Sequence, residues 1–337
     1  MKRFALVLLC ALAAAACSAQ NADNAALPPE KSKSKPEKKW TEYPTRGVEQ
    51  LAGFAPGAAP QLSKYGGWTE KKSEATGFFH VKKIGARWWL IDPEGCAFIH
   101  VGVCSSSPGK SAHCTKALNE KFQTREKWAE QTSKLLAENG FNGTGAWSDN
   151  ALLRGAPARV VYTGMWNFMS GFGKSRNLTH QKPGHAGYTG DCIPIFHPEF
   201  EAFCDKYAAA LAGTKDDPWL LGHFSDNELP SPSLDKFLAL DTSNADVAHS
   251  QRAASEWLKA RGKDKAGITD ADRSAFVRYV WERYYEVTTK AIRKHDPNHL
   301  CLGSRLHGSS KESAESHKAA GKYLDIVAVN YYGAWGP

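Results

Sequence analysis

The stretch "DPWLLGHFSDNELP", residues 217–230, decides how the chain is read. Trp219 to Phe224 form a short apolar run with the length and composition of a buried strand. The run stops at Ser225, Asp226, Asn227 and Glu228, and Pro230 closes the segment. A turn accounts for the polar residues in the plainest way. A strand that carries carboxylates and an amide to its end also suits a catalytic site, and the surrounding segments decide between the two.

On either side, apolar runs alternate with helical patterns. "REKWAEQTSKLLAENGF" has helical spacing at Trp128, Leu135 and Leu136 and ends at Gly140, a favoured residue after a helix. "FNGTGAW" and "ARVVYTGMWNF" read as short strands. "HPEFEAFCDKYAAALAG" reads as a helix with Pro198 in its first turn and Gly213 closing it. The segment of about residues 231–270 is polar, with a helix around "ADVAHSQRAASEWLKARG". "ADRSAFVRYVWERYYEVTTKAIRKHDPNH" predicts the longest helix, and its basic end suits the helix dipole. "LCLGSR" and "LDIVAVNYY" follow as fifth and sixth strands around the helix "ESAESHKAAGKY". Upstream, "TGFFHVKKIGARWWLIDPEGCAFIHVGVC" holds three apolar runs broken by the turns "IGAR" and "DPEG". The last run, Ala97 to Cys104, predicts the first parallel strand, buried on both faces.

Strands alternating with helices predict an α/β fold with a parallel sheet. The candidates are an eight-fold β/α barrel and a doubly wound sheet. "VGVCSSSPGKS" carries no glycine-rich phosphate loop, which weakens the nucleotide-binding sheet. In a barrel, polar residues at strand C-terminal ends converge on one site. Those ends hold Trp147, Trp166, Asn227 with Glu228, Arg305, His307, and Asn330 with Tyr331 and Tyr332. Stacking faces, hydrogen-bond donors and a carboxylate suit a polyol ligand.

Composition agrees with a globular protein: 337 residues, 42% hydrophobic and 11% aromatic, with 11 tryptophans. Residues 1–19 have the pattern of an export leader, with Lys2 and Arg3, an apolar stretch and then small residues. Small residues running into Cys17 resemble a lipobox, which would make Cys17 the lipid-bearing residue of an outer-membrane lipoprotein. Ala14 stands where leucine is usual, so ordinary cleavage after Ala16 or Ala19, giving a periplasmic or extracellular protein, stays open. Residues 20–45, rich in Lys, Pro and Ala, predict a disordered basic tether. Residues 46–337 form the barrel domain with a β-hairpin lead-in. The leader and tether carry a net +3 of the formal charge of +8, and no basic block is interleaved with aromatics, which argues against nucleic acid. Cys96, Cys104, Cys114, Cys192, Cys204 and Cys301 leave disulfide pairing open. No cofactor or metal site is expected, because no C-x-x-C or H-x-H spacing occurs.

With "WLLGHFSDNEL" ending the fourth strand, the sequence resembles the retaining glycoside hydrolases with a β/α barrel. "GFFHVKKIGARWWLIDPEGCAFIHVGV" resembles the lead-in of family 50 β-agarases, and "IVAVNYYGAW" is similar to sixth strands of the superfamily. The resemblance implies Glu228 as general acid/base and Asn227 as donor to the sugar 2-hydroxyl. It further implies that Tyr331 or Tyr332 orients the nucleophile, with support from Arg305. Trp147 and Trp166 would stack on sugar faces, with His307 and His100 as secondary candidates. Partial burial would hold the Glu228 carboxyl up. In the superfamily the nucleophile ends the seventh strand, whereas six strands precede Pro337 and no strand-like Glu follows Asn330. The expectation is therefore about six of eight βα units, without the nucleophile and inert alone. The implied activity is hydrolysis of a β-linked polysaccharide, agarose or a related galactan. The alternatives are a non-catalytic carbohydrate-binding lipoprotein and a β-glucanase or β-galactosidase of the same superfamily.

Overall fold

The computed structural model describes residues 27–32, 41–45, 53, 55, 57–182 and 185–332. The leader and Cys17 lie outside them. The chain divides into a unit through Ala59 and a main unit from Pro60. In the first, β1 (Leu27–Ser32) and β2 (Thr41–Thr45) pair antiparallel, with Lys31 opposite Glu42. The expected unstructured tether does not hold for these ten or so residues. Thr41, Tyr43 and Thr45 favour extended backbone, and Pro28 and Pro29 fall where the register shifts between Leu27 and Glu30.

In the main unit, β3 (Trp68–Lys72), β4 (His80–Ile84), β5 (Arg87–Ile91) and β6 (Cys96–Phe98) form an antiparallel sheet in the order β3-β6-β5-β4. Both turns read from the sequence are present. The second is built by Asp92, whose Oδ1 accepts from the N–H groups of Glu94 and Cys96 at 3.0 and 2.8 Å. Gly95 sits at φ +85°, where an added Cβ would meet Ser73 O at 2.7 Å, so the turn requires glycine. The run Ala97 to Cys104 is not one strand buried on both faces. Phe98 is buried, Ile99 and Val101 are 63% and 43% exposed, and the chain then changes sheet to β7 (Gly102–Val103).

The parallel sheet consists of β7, β8 (Gly143–Thr144), β9 (Val161–Met165), β12 (Leu220–Asn227) and β13 (Leu300–Arg305). A single parallel bridge, Leu306 with Val329, adds a sixth position. Between β9 and β12 the chain makes a separate hairpin of β10 (Thr179–Lys182) and β11 (His185–Tyr188). Sheet neighbours follow chain order throughout, with no reversal. A doubly wound sheet reverses its order at a switch point; this one does not. Among the described residues the sheet has five strands and is not closed.

Helices follow the strands. The helix Arg125–Glu138 starts at Thr124, whose hydroxyl accepts from Lys127 N–H, and a further helix, Ala112–Phe122, precedes it in a stretch with no clear apolar period. The longest, Asp270–His295, opens with a capping box of Thr269 and Asp272 and ends in Arg293, Lys294 and His295. No helix of the described residues is long and apolar enough to cross a membrane. Phe168, Phe200, Phe276, Trp281 and Tyr284 belong to the larger core cluster. A smaller cluster packs Tyr65, Phe79 and Phe98 onto Val161, Leu221 and Leu300, at the beginnings of β9, β12 and β13. The antiparallel sheet thus covers the N-terminal ends of the parallel strands. Each fully buried phenylalanine of this kind stabilises the fold by about 1.5–3 kcal/mol. The six cysteines among the described residues are free; burial pushes the Cys192 and Cys301 thiols up to about 12, as befits small core residues.

Candidate active site

The C-terminal ends of the parallel strands carry the polar residues. Ser225 and Asp226 are buried at the end of β12, and Asn227 and Glu228 are half-buried beyond them. Asp226 is held in place by three donors. Met169 N–H and Ser170 N–H reach its two oxygens at 2.8 and 3.3 Å, and Tyr284 O–H donates at 2.8 Å. The helix Phe168–Ser175 has no side-chain cap of its own, so Asp226 supplies one from the neighbouring strand. Burial pushes its carboxyl up to about 7 despite these donors. Asp226 is structural.

Glu228 is turned the other way. Its φ of +52° puts a non-glycine residue in the left-handed region, and its N–H donates to Arg305 O at 3.2 Å. Tyr332 O–H and Asn330 Nδ2 donate to Glu228 Oε1 at 2.6 and 2.7 Å. Burial raises this carboxyl, but the donors Tyr332 and Asn330, with the charges of His307 and His185, outweigh it and hold Glu228 below the ordinary glutamate range. The expectation of a raised Glu228 fails because two donors stabilise the ionised form. Asn227 Oδ1 accepts from Arg305 Nε at 2.9 Å and from Asn330 Nδ2 at 3.1 Å.

Most of the candidate residues meet here, some in altered roles. Arg305 lies over the Trp147 ring at 4.5 Å and the Phe224 ring at 5.6 Å. Trp147 therefore gives one face to the guanidinium, and at 51% exposed it keeps area for a ligand. His307 meets Tyr332 edge-on, with ring centroids 6.0 Å apart. Tyr332 O–H donates to Glu228, and Tyr331 lies under Lys311 at 5.2 Å. Trp166 is not a free stacking face. Its indole N–H donates to His223 Nδ1 at 3.0 Å, and its ring packs against Tyr207 and the core. His100 stacks on Phe98, and burial lowers it to about 4, as for a packed neutral histidine. Two residues were missed as site candidates. Asn330 stood among the strand-end polars without a role, and His185 reaches the site from a hairpin that has no strand-like alternation.

Among the described residues, one buried group has metal-ligand geometry: His223, Asp296 and His299. Its donors are already committed. Because the Trp166 indole can only donate, His223 Nδ1 must accept, and Nε2–H then donates to Asp296 Oδ2 at 2.7 Å. His299 faces Asp296 through Nδ1 and the Asp217 carbonyl through Nε2. A metal would need His223 without either proton, so these residues fit a polar core bridge and not an ion.

An Asn-Glu pair thus stands at the end of the fourth of several chain-ordered parallel strands, facing exposed aromatic and basic residues. No protein-family model matches the chain. Beta-agarase B of Vibrio sp. (strain JT0107) is 22% identical over 81% of this chain and 38% of its own length. Beta-agarase A of the same strain is 24% identical over 69% of this chain and 27% of its own. The match thus spans only 38% and 27% of the length of these curated relatives. The crystal structure of BpGH50 matches with a TM-score of 0.74 and 26% identity, over 93% of this chain and 72% of that one. An exo-beta-agarase structure matches with a TM-score of 0.63 and 21% identity, over 81% and 52%. The chain is thus similar to beta-agarases in sequence and to a family 50 glycoside hydrolase in fold.

Proposed function

We propose that the whole protein is a retaining glycoside hydrolase that cleaves agarose or a related β-linked galactan on an eight-fold β/α barrel. The observation that carries this reading is the Asn227–Glu228 pair at the end of β12, with Asn330 and Tyr332 gathered on the glutamate. Glu228 is the general acid/base: it protonates the glycosidic oxygen as the bond breaks and later takes a proton from water. Asn227 donates to the sugar 2-hydroxyl, an interaction that strengthens in the transition state. Trp147 offers its open face to a sugar ring. Double displacement also needs a carboxylate nucleophile about 5–5.5 Å from the acid/base.

The beta-agarase names of the relatives support a galactan substrate. Export, with Cys17 as the lipid-bearing residue of an outer-membrane anchor, completes the reading; Cys17→Ser should release the protein from the membrane fraction. The test of function is hydrolysis of agarose oligosaccharides by the whole protein, followed by NMR of the new anomeric centre. Retained configuration and loss of turnover in Glu228→Gln are expected. Binding without turnover by the unaltered protein would sink the enzymatic reading, and cleavage of β-glucan alone would move the substrate to another class.

A further inference from the structure

An arginine can only donate hydrogen bonds, and that fact orients every amide in the site. Arg305 Nε–H lies 2.9 Å from the side chain of Asn227, so the atom it meets is the oxygen. The Asn227 NH₂ must then point the other way. Asn330 approaches the same oxygen at 3.1 Å and therefore presents its nitrogen. That nitrogen's other hydrogen goes to Glu228 Oε1 at 2.7 Å. Both hydrogens of one amide are spent, one on each member of the Asn-Glu pair. Asn330 is itself 8% exposed and pinned by its backbone N–H, which donates to Leu306 O at 2.8 Å.

We propose that Asn330 is a positioning residue: its buried amide couples Asn227 to Glu228, turns the Asn227 NH₂ toward the substrate, and reserves Glu228 Oε1 as an acceptor. This rests on the reading of Glu228 as the acid/base. Tyr332 O–H converges on the same oxygen at 2.6 Å. A proton on Oε1 would displace one of these donors, so the transferable proton rides on Oε2. In the first step that proton passes from Oε2 to the glycosidic oxygen. The C–O bond breaks, the carboxylate nucleophile bonds the anomeric carbon, and Glu228 is left ionised with both donors in place. In the second step water gives its proton back to Oε2 as its oxygen displaces the nucleophile. Although burial acts against ionisation, the donors from Tyr332 and Asn330 prevail at this carboxyl. Removing Asn330 should therefore raise its affinity for the proton.

The test is a titration of Glu228 by carbon NMR of carboxyl-labelled glutamate in the full chain, with Glu228→Gln to assign the signal. Asn330→Ala should move the midpoint up by about one pH unit, and Asn330→Asp, nearly isosteric but a second negative charge, should move it further. In the whole protein the alkaline limb of kcat/KM should shift upward in the same order. An unchanged midpoint in both folded variants overturns the clamp. Hydrolysis that survives Glu228→Gln overturns the acid/base reading instead, and the titration order still judges the clamp.

Discussion

Asp226 and Glu228 stand two residues apart at the end of one strand and meet opposite surroundings. Asp226 lies buried under a helix and is pushed up to about 7. Glu228, half-buried at the strand's open end, is held below its usual range by Tyr332 and Asn330. A shifted carboxyl is often taken as a sign of a catalytic group. Here the larger shift belongs to the residue that ties a helix to the sheet. Position at the strand end, and access to a ligand, separate the two.

The comparison breaks most sharply on activity. Glu228→Gln in the whole protein should lower kcat/KM on agarose oligosaccharides by about 10²–10⁴-fold, while Asp226→Asn should keep activity per folded molecule within about tenfold. The reverse pattern would exchange their roles. Stability against pH comes next. Between about pH 4 and 7 folded Asp226 keeps a proton that the unfolded chain releases, so the folded state binds more protons there. Unfolding free energy should therefore fall as pH rises through that window and level off above 7, by a few kcal/mol at about 1.4 kcal/mol per unit. Denaturant melts of Asp226→Asn should lack this contribution to the slope.

A smaller effect tests the stacking face. Trp147→Ala removes the ring beneath Arg305, and loss of a cation–π contact of about 0.5–2 kcal/mol should raise KM several-fold with a lesser change in kcat. Unaltered kinetics would make Trp147 a bystander. The smallest effect is at Trp166. Trp166→Phe deletes the donor to His223 and should cost about 1 kcal/mol of stability with hydrolysis unaffected.

Much of the fold was legible because its strands are short apolar runs and its helices carry caps. Leu220–Asn227, Leu300–Arg305 and the turn at Asp92–Gly95 follow from such local signals. The first parallel strand was misjudged because Ile99 and Val101 are apolar yet exposed, so composition could not mark the change of sheet. The hairpin Thr179–Tyr188 was missed because "THQK" and "HAGY" carry no alternation of apolar and polar residues. In the site, Asn227 and Glu228 announced themselves by following a buried run. Asn330 did not, because its role is set by partners far away in the chain. Trp166 misled for the related reason that an indole looks alike in sequence whether it faces a sugar or a histidine.

That distance along the chain has a temporal side. Asn330 and Glu228 are 102 residues apart, so at about 5–20 residues per second a ribosome would deliver the clamp roughly 5–20 s after the residue it holds. Nearly every strand and helix described here is synthesised in that interval or before it. The Asn-Glu pair is thus laid down early and its proposed clamp arrives last, after nearly all of the described core has been made.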